Sequence, residues 1–223
     1  MRNAVLMVRL IAMAFLLSVA IGCGTVESSV KKPVKKPPMV PAARWQESLP
    51  SGSFRSQTPQ RITLVDSGRN PAAGSDMQGY IKELHDRELQ SGHGHLSAHY
   101  YIDPFGGIYE GRQLFLQGRL PEGLEMDCTG HVIIMALGDY RARVPTEEFK
   151  ESLTTLVAWL CDRQEIPASS FHGLNHYLRT DNPGKYLIEW LESPEWDYAL
   201  KQAMGIKAPT PIPTPEPTAT PVQ

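Results

Sequence analysis

The 223-residue chain has no apolar run long enough to span a bilayer, no surplus of positive charge and only three cysteines. Its N-terminal apolar stretch, Leu10 to Ala20, is broken by Ser18 and falls well short of the roughly 20 residues a membrane-spanning helix requires. A net charge of −2 provides no basic field of the kind that dominates affinity for nucleic acid, so nucleic acid is excluded as a partner.

What is there begins with Arg2, Arg9, the short apolar run, Gly22 and Cys23. A charged start, a short apolar core and a small residue before a cysteine define a signal peptide over residues 1–22. Val19, Ala20, Ile21, Gly22 and Cys23 resemble the bacterial lipobox, which implies cleavage before Cys23 and a diacylglycerol on its sulfur. The expectation is an exported protein, lipid-anchored to a membrane of the cell envelope and facing the periplasm or cell wall.

Residues 23–58 form a stem rich in Pro and Lys, including Lys31, Lys32, Pro33, Val34, Lys35, Lys36, Pro37 and Pro38. Proline geometry and like-charge repulsion predict a stiffened spacer. The tail, residues 208–223, alternates Pro with Thr and small residues and has too little apolar surface to bury a core. One domain is left, residues 59–207. Arg2 and Arg9 leave with the signal peptide and the stem is basic, so the chain beyond Thr58 carries about −8.

Within that domain Arg61 to Asp66 has strand composition and ends in the turn residues Ser67, Gly68, Arg69, Asn70 and Pro71. Asp76 to Gln90 carries Met77, Ile81, Leu84 and Leu89 at near-helical spacing, with Ser75 as N-cap. Ser97 to Asp103 and Gly107 to Glu110 read as two strands around a Pro104–Gly106 turn. His131 to Leu137 is continuously apolar after its first residue, which suits a central strand covered on both faces.

Thr146 opens a helix whose Phe149, Leu153, Leu156, Val157, Leu160 and Cys161 share one stripe and which ends near Gln164. Asn182 as N-cap with Pro183 behind it predicts a further helix through Trp190, and Pro194 a short last one. Intermixed strands and helices give an α/β class: a single domain with a mixed central β-sheet flanked by helices. Cys128 and Cys161 either pair in an oxidising compartment or leave Cys161 as a buried thiol on a helix face.

The order of these motifs resembles the type 2 N-acetylmuramoyl-L-alanine amidase and peptidoglycan-recognition protein family over about Arg61 to Leu191. The family's first strand ends I-x-I-H-H-S-G where Ile62 to Gly68 here reads ITLVDSG. Ile108 to Arg112 reads IYEGR, close to the family pattern, and Leu137-Gly138-Asp139-Tyr140 resembles its G-D-Y segment. Gly173-Leu174-Asn175-His176-Tyr177 followed by Thr180-Asp181-Asn182-Pro183-Gly184 resembles the closing G-H-R-D-Y and T-x-C-P-G.

Active members of that family hold one zinc through two histidines and a cysteine or aspartate. The resemblance places those ligand positions at Val65, Leu174 and Asn182; two are aliphatic and the third is a neutral amide. A shifted alignment takes His172 as a ligand instead. The resemblance therefore implies a domain that binds peptidoglycan or a muropeptide without zinc-dependent hydrolysis, with no cofactor. The alternative is a zinc-dependent N-acetylmuramoyl-L-alanine amidase, a peptidoglycan hydrolase, with atypical ligands. His99 and Thr180 occupy positions of a vestigial catalytic site, and the ligand-binding candidates are Asp66, His99, Tyr101, Arg112, His172 and His176. Arg112 either pairs with a stem-peptide carboxylate or neutralises Glu110. His93, His95 and His99 raise a second metal site against the ordinary reading of solvated loop histidines, and His131 opens the central strand with no chemistry implied.

Overall fold

A computed structural model describes residues 32–45, 54–72, 74–91, 95–121 and 123–207. Residues 1–22, expected to be a signal peptide, Cys23, His93 and residues 208–223 lie outside the described residues. Beyond Lys32 all described residues belong to one compact unit, Pro33–Gln223. Among the described residues no helix is long and apolar enough to cross a membrane.

The unit is built on a five-stranded mixed sheet in the order β3-β2-β4-β1-β5. The strands are β1 (Arg61–Asp66), β2 (Tyr100–Ile102), β3 (Ile108–Glu110), β4 (His131–Ala136) and β5 (Phe171–Gly173). β1 runs parallel to β4 and β5, with Val65 opposite Met135 and Leu64 opposite Gly173, while β3 alone runs antiparallel, to β2. The central position of β4 agrees with its apolar composition, since all six of its residues are buried.

Two helices make the parallel crossovers. α1 (Met77–Gln90) joins β1 to β2, and α2 (Glu147–Arg163) joins β4 to β5. The two crossovers step in opposite directions across the sheet, so right-handed connections put the helices on opposite faces. The two apolar clusters confirm this. Ile62, Leu64, Val132 and Ile134 pack with Phe149, Leu153 and Leu156 of α2, whereas Val65, Ile133 and Met135 pack with Met77 and Ile81 of α1. Period-two alternation along β1 thus feeds both cores.

The helix ends refine the sequence reading. Thr146 caps α2 as expected, its Oγ1 accepting from the Phe149 N–H at 3.2 Å. α1 is capped by Asp76 and not Ser75: the Asp76 carboxylate has two oxygens and accepts from the N–H groups of Gln78 and Gly79 at 3.1 and 3.2 Å. α3 spans Lys185–Leu191 and starts after Gly184, with no side-chain cap, so Asn182 is not a cap residue. α4 (Pro194–Ala203) begins with Ser193 as cap and Pro194 in its first turn.

Part of the expected spacer is docked. The Val40 N–H donates to Ile108 O at 2.8 Å and its carbonyl accepts from the Glu110 N–H at 2.9 Å. That pairing covers the outer edge of β3, the exposed strand edge on that side of the sheet. Lys36 pairs with Glu110 at 3.0 Å, and Trp45 is buried. Pro33 to Trp45 is therefore a strap on the domain and not a free spacer, because its interspersed Val34, Met39, Val40 and Trp45 find apolar partners there. Cys128 and Cys161 are both buried and sit in the two different cores, on opposite faces of the sheet, so they do not pair with each other.

Candidate functional site

The carboxyl ends of β1, β4 and β5 open onto the loops 67–71, 137–145 and 174–184, the end of a parallel sheet where crevices form. Asp66 closes β1 and is 3% exposed. Its Oδ1 accepts from Asn182 Nδ2 at 2.7 Å and its Oδ2 from the Tyr140 N–H at 3.2 Å. Burial pushes its carboxyl up to about 6; the Tyr140 hydrogen bond opposes this, the Asp139 charge adds to it and the Arg141 charge opposes it.

Asn182 also binds the backbone of Asp66. Its Oδ1 accepts from the Asp66 N–H at 3.0 Å, and its Nδ2 donates to Asp66 O at 3.1 Å. The Asn182 carbonyl accepts from the Asn175 N–H at 3.0 Å. The peptide following Val65 and the peptide following Leu174 thus both donate to Asn182, so the three positions that the sequence resemblance singled out lie together. Val65 and Leu174 are fully buried in the same apolar cluster.

Those residues do not fit a zinc ion. Valine and leucine have no lone pair, and both polar ends of the Asn182 amide are engaged with Asp66. Among the described residues no group of three His, Cys, Asp or Glu side chains could hold a metal ion.

Three sequence candidates are interior residues. His99 is 1% exposed, and its Nδ1 accepts from the Ile133 N–H at 2.9 Å, which leaves the proton on Nε2 to donate to Leu116 O at 2.9 Å. Burial holds its imidazole down at about 4. With both ring nitrogens used, His99 neither faces a cleft nor joins His95 in a metal site. Tyr101 is fully buried, its hydroxyl accepting from the Ala98 N–H at 3.1 Å. Arg112 spends its guanidinium on the carbonyls of Leu96, Gln117 and His95 at 2.7, 2.9 and 3.2 Å. It is buried and does not pair with Glu110, whose partner is Lys36. The IYEGR segment is thus legible as a fold signature, and its arginine ties down a loop.

Other candidates lie nearer the surface. Thr180 Oγ1 accepts from the Asn182 N–H at 3.2 Å and so shapes the loop 174–184. The rings of His172 and His176 stack at 3.8 Å with planes 8° apart. They line a cleft of about 140 Å³ with Asn175, Glu192, Leu191 and Trp196. His172 is held below the ordinary imidazole range by burial and then by His176. His131 opens β4, its Nδ1 2.7 Å from Thr63 Oγ1.

Sequence reading missed the part Asn182 plays. A polar residue in a loop before Pro-Gly carries a helix-cap signal, and nothing local shows that Asp66 lies beside it. Exposed Arg69 and Arg141 at the same end were also missed; Arg141 is paired with Asp139 at 2.9 Å.

An α/β domain with parallel strands ending in this loop cluster has the architecture of peptidoglycan-recognition proteins and related amidases. Residues 57–185 match the N-acetylmuramoyl-L-alanine amidase family, and the chain belongs to it. No curated protein gave a match. Among solved structures the chain is similar to the peptidoglycan recognition protein SD of Drosophila at 22% identity and a TM-score of 0.62, covering 72% of this chain and 97% of that one. It is similar to the endolysin N-acetylmuramoyl-L-alanine amidase LysCS of Clostridium intestinale at 18% identity and a TM-score of 0.57, covering 78% and 99%. A third similar structure is the ectodomain complex of peptidoglycan recognition proteins LCa and LCx bound to tracheal cytotoxin, at 16% identity and a TM-score of 0.60, covering 70% and 96%. These likenesses establish the fold.

Proposed function

We propose that this protein binds peptidoglycan or a muropeptide through its amidase-type domain and does so without zinc-dependent hydrolysis. The observation that carries the reading is the chemistry at the three converging positions. Val65 and Leu174 are core residues, and the Asn182 amide is committed to Asp66. Hydrolysis in this family needs a cation to lower the pKa of a water and polarise the amide carbonyl, and these side chains supply no anchor for one. Membership of the amidase family and the cytotoxin bound to the LCa–LCx complex support a cell-wall ligand. Exposed Arg69 beside the loop cluster suits a carboxylate of a peptide stem, with Arg141, held by Asp139, at the same end.

The protein acts, in this reading, from a lipid anchor on Cys23, which puts the domain at high local concentration beside the wall. That placement rests on the sequence from Leu10 to Cys23. It is checked by membrane fractionation of Cys23→Ser, which is expected to leave the membrane pellet.

The test of function is a metal assay and a peptidoglycan incubation on the purified full chain. Retention on insoluble peptidoglycan with no bound zinc and no released stem peptide is the expected result. Stoichiometric zinc with chelator-sensitive release of stem peptides establishes instead an N-acetylmuramoyl-L-alanine amidase with atypical ligands.

A further inference from the structure

We propose that the Asp66–Asn182 pair is a metal-free clamp that cross-links the end of β1 to the loop 174–184 and so positions the binding face. This rests on the metal-free reading above. Three chain segments meet at this point: the end of β1, the turn Leu174–His176 after β5, and the approach to α3 at Asn182. Val65 and Leu174 bring two of them together through the core. Asn182 brings in the third, engaging its side-chain oxygen and both amide hydrogens to do it.

The inventory of Asn182 closes. Its Oδ1 accepts from the Asp66 N–H, and its Nδ2 donates both to Asp66 O and to Asp66 Oδ1. Its backbone N–H donates to Thr180 Oγ1, and its carbonyl accepts from the Asn175 N–H. A strand end that presents a peptide N–H, a carbonyl and a carboxylate calls for a partner with both a donor and an acceptor, and a side-chain amide is that partner. An aspartate at 182 would set a second acceptor against Asp66. An aliphatic residue would leave a buried carboxylate short of a donor, which is costly.

The clamp also accounts for Asp66 itself. A carboxylate 3% exposed with no cationic partner at hydrogen-bond distance needs donors, and Asn182 and the Tyr140 N–H are the two it has. The pair therefore joins all three loops of the crevice, since Tyr140 belongs to the loop 137–145. Arg179 and Lys185 bracket Asn182 and are exposed, so trypsin reads the state of this loop directly.

The test uses the full chain and the variants Asn182→Ala, Asp66→Asn and the exchange Asp66→Asn/Asn182→Asp. Asn182→Ala is expected to lower the folding equilibrium constant by about 10- to 100-fold, the range for a hydrogen bond to a buried charge. It is also expected to speed trypsin cleavage at Arg179 or Lys185 and weaken retention on insoluble peptidoglycan. The exchange keeps one carboxylate and one amide across the gap but loses the donor to the residue-66 carbonyl, so it is expected to be more resistant to trypsin than Asn182→Ala without reaching the wild type. A wild-type chain without zinc whose loop cleavage is unchanged by Asn182→Ala overturns the clamp alone, as does an exchange no more resistant than Asn182→Ala. Stoichiometric zinc in the wild-type chain overturns the metal-free reading and the clamp with it.

Discussion

Lowering the pH from 7 to 5 should destabilise this domain through His99, and the size of the effect follows from how the ring is held. His99 is neutral in the fold because Nδ1 accepts from the Ile133 N–H and Nε2 donates to Leu116 O. Neither nitrogen has a place for a second proton, and burial brings the imidazole down to about 4 from 6.5. The unfolded chain therefore binds a proton that the folded chain refuses. A group with a depressed folded pKa contributes stability that is full above its unfolded pKa and is lost as the pH falls toward the folded one. At pH 5 the unfolded imidazole is about 1.5 units below its pKa while the folded one is still neutral, which at about 1.36 kcal/mol per unit is a loss of about 2 kcal/mol relative to pH 7. His95 and His131 are also held at about 4 by burial and act in the same direction. The contribution of His99 is isolated with His99→Asn, which retains an acceptor for the Ile133 N–H and does not titrate. Its fixed cost of about 1–3 kcal/mol for the lost Leu116 contact cancels when each protein is compared with itself at two pH values. Urea denaturation at pH 7 and pH 5 should show the variant losing about 2 kcal/mol less than the wild type. Equal losses in the two proteins refute the assignment of His99 as a neutral, doubly bonded core residue.

Asp66 works in the opposite sense: its carboxyl is raised to about 6, so the stability it lends is complete below about 3.8 and is lost as the pH rises through 6. Across that window ionisation costs about 3 kcal/mol, and the stability of Asp66→Asn should climb more steeply with pH than that of the wild type in the same urea series. Gly184→Ala should destabilise by more than about 1 kcal/mol. The residue sits at φ 96° and a Cβ there would lie 2.5 Å from the Tyr140 carbonyl carbon; an unchanged melting temperature would contradict the packing of loop 174–184 on loop 137–145. Trp45→Ala should cost about 3–5 kcal/mol as a large buried ring is lost. Trp45 meets His85 edge-on at 5.6 Å, and a variant as stable as wild type by denaturant titration would return the strap to the role of a spacer.

Much of the fold was legible along the chain because it depends on local periodicity. Arg61 to Asp66 has the composition of a strand, the apolar run of β4 and the stripe of α2 report burial directly, and the Thr146 cap needs no partner beyond its own first turn. The family was legible too, since the order and spacing of the motifs pointed to the one whose model matches residues 57–185. The strap was misread because lysine and proline dominate its composition, while its fate was decided by four apolar residues and an unpaired strand edge.

What sequence alone determined is therefore the α/β class, the order of the elements and the residue types available at the site. Tertiary structure decided what those residues do. His99, Tyr101 and Arg112 carry the functional groups of a binding site, but burial and hydrogen bonds to Ile133 for His99, to Ala98 three residues away for Tyr101 and to Leu96 for Arg112 turn them into interior ties. Asn182 has the composition of a helix cap and becomes a clamp because Asp66, 116 positions away, arrives within 2.7 Å. A hydrogen bond is short-ranged and directional, so which of several possible partners it takes is settled only when the chain has brought them together.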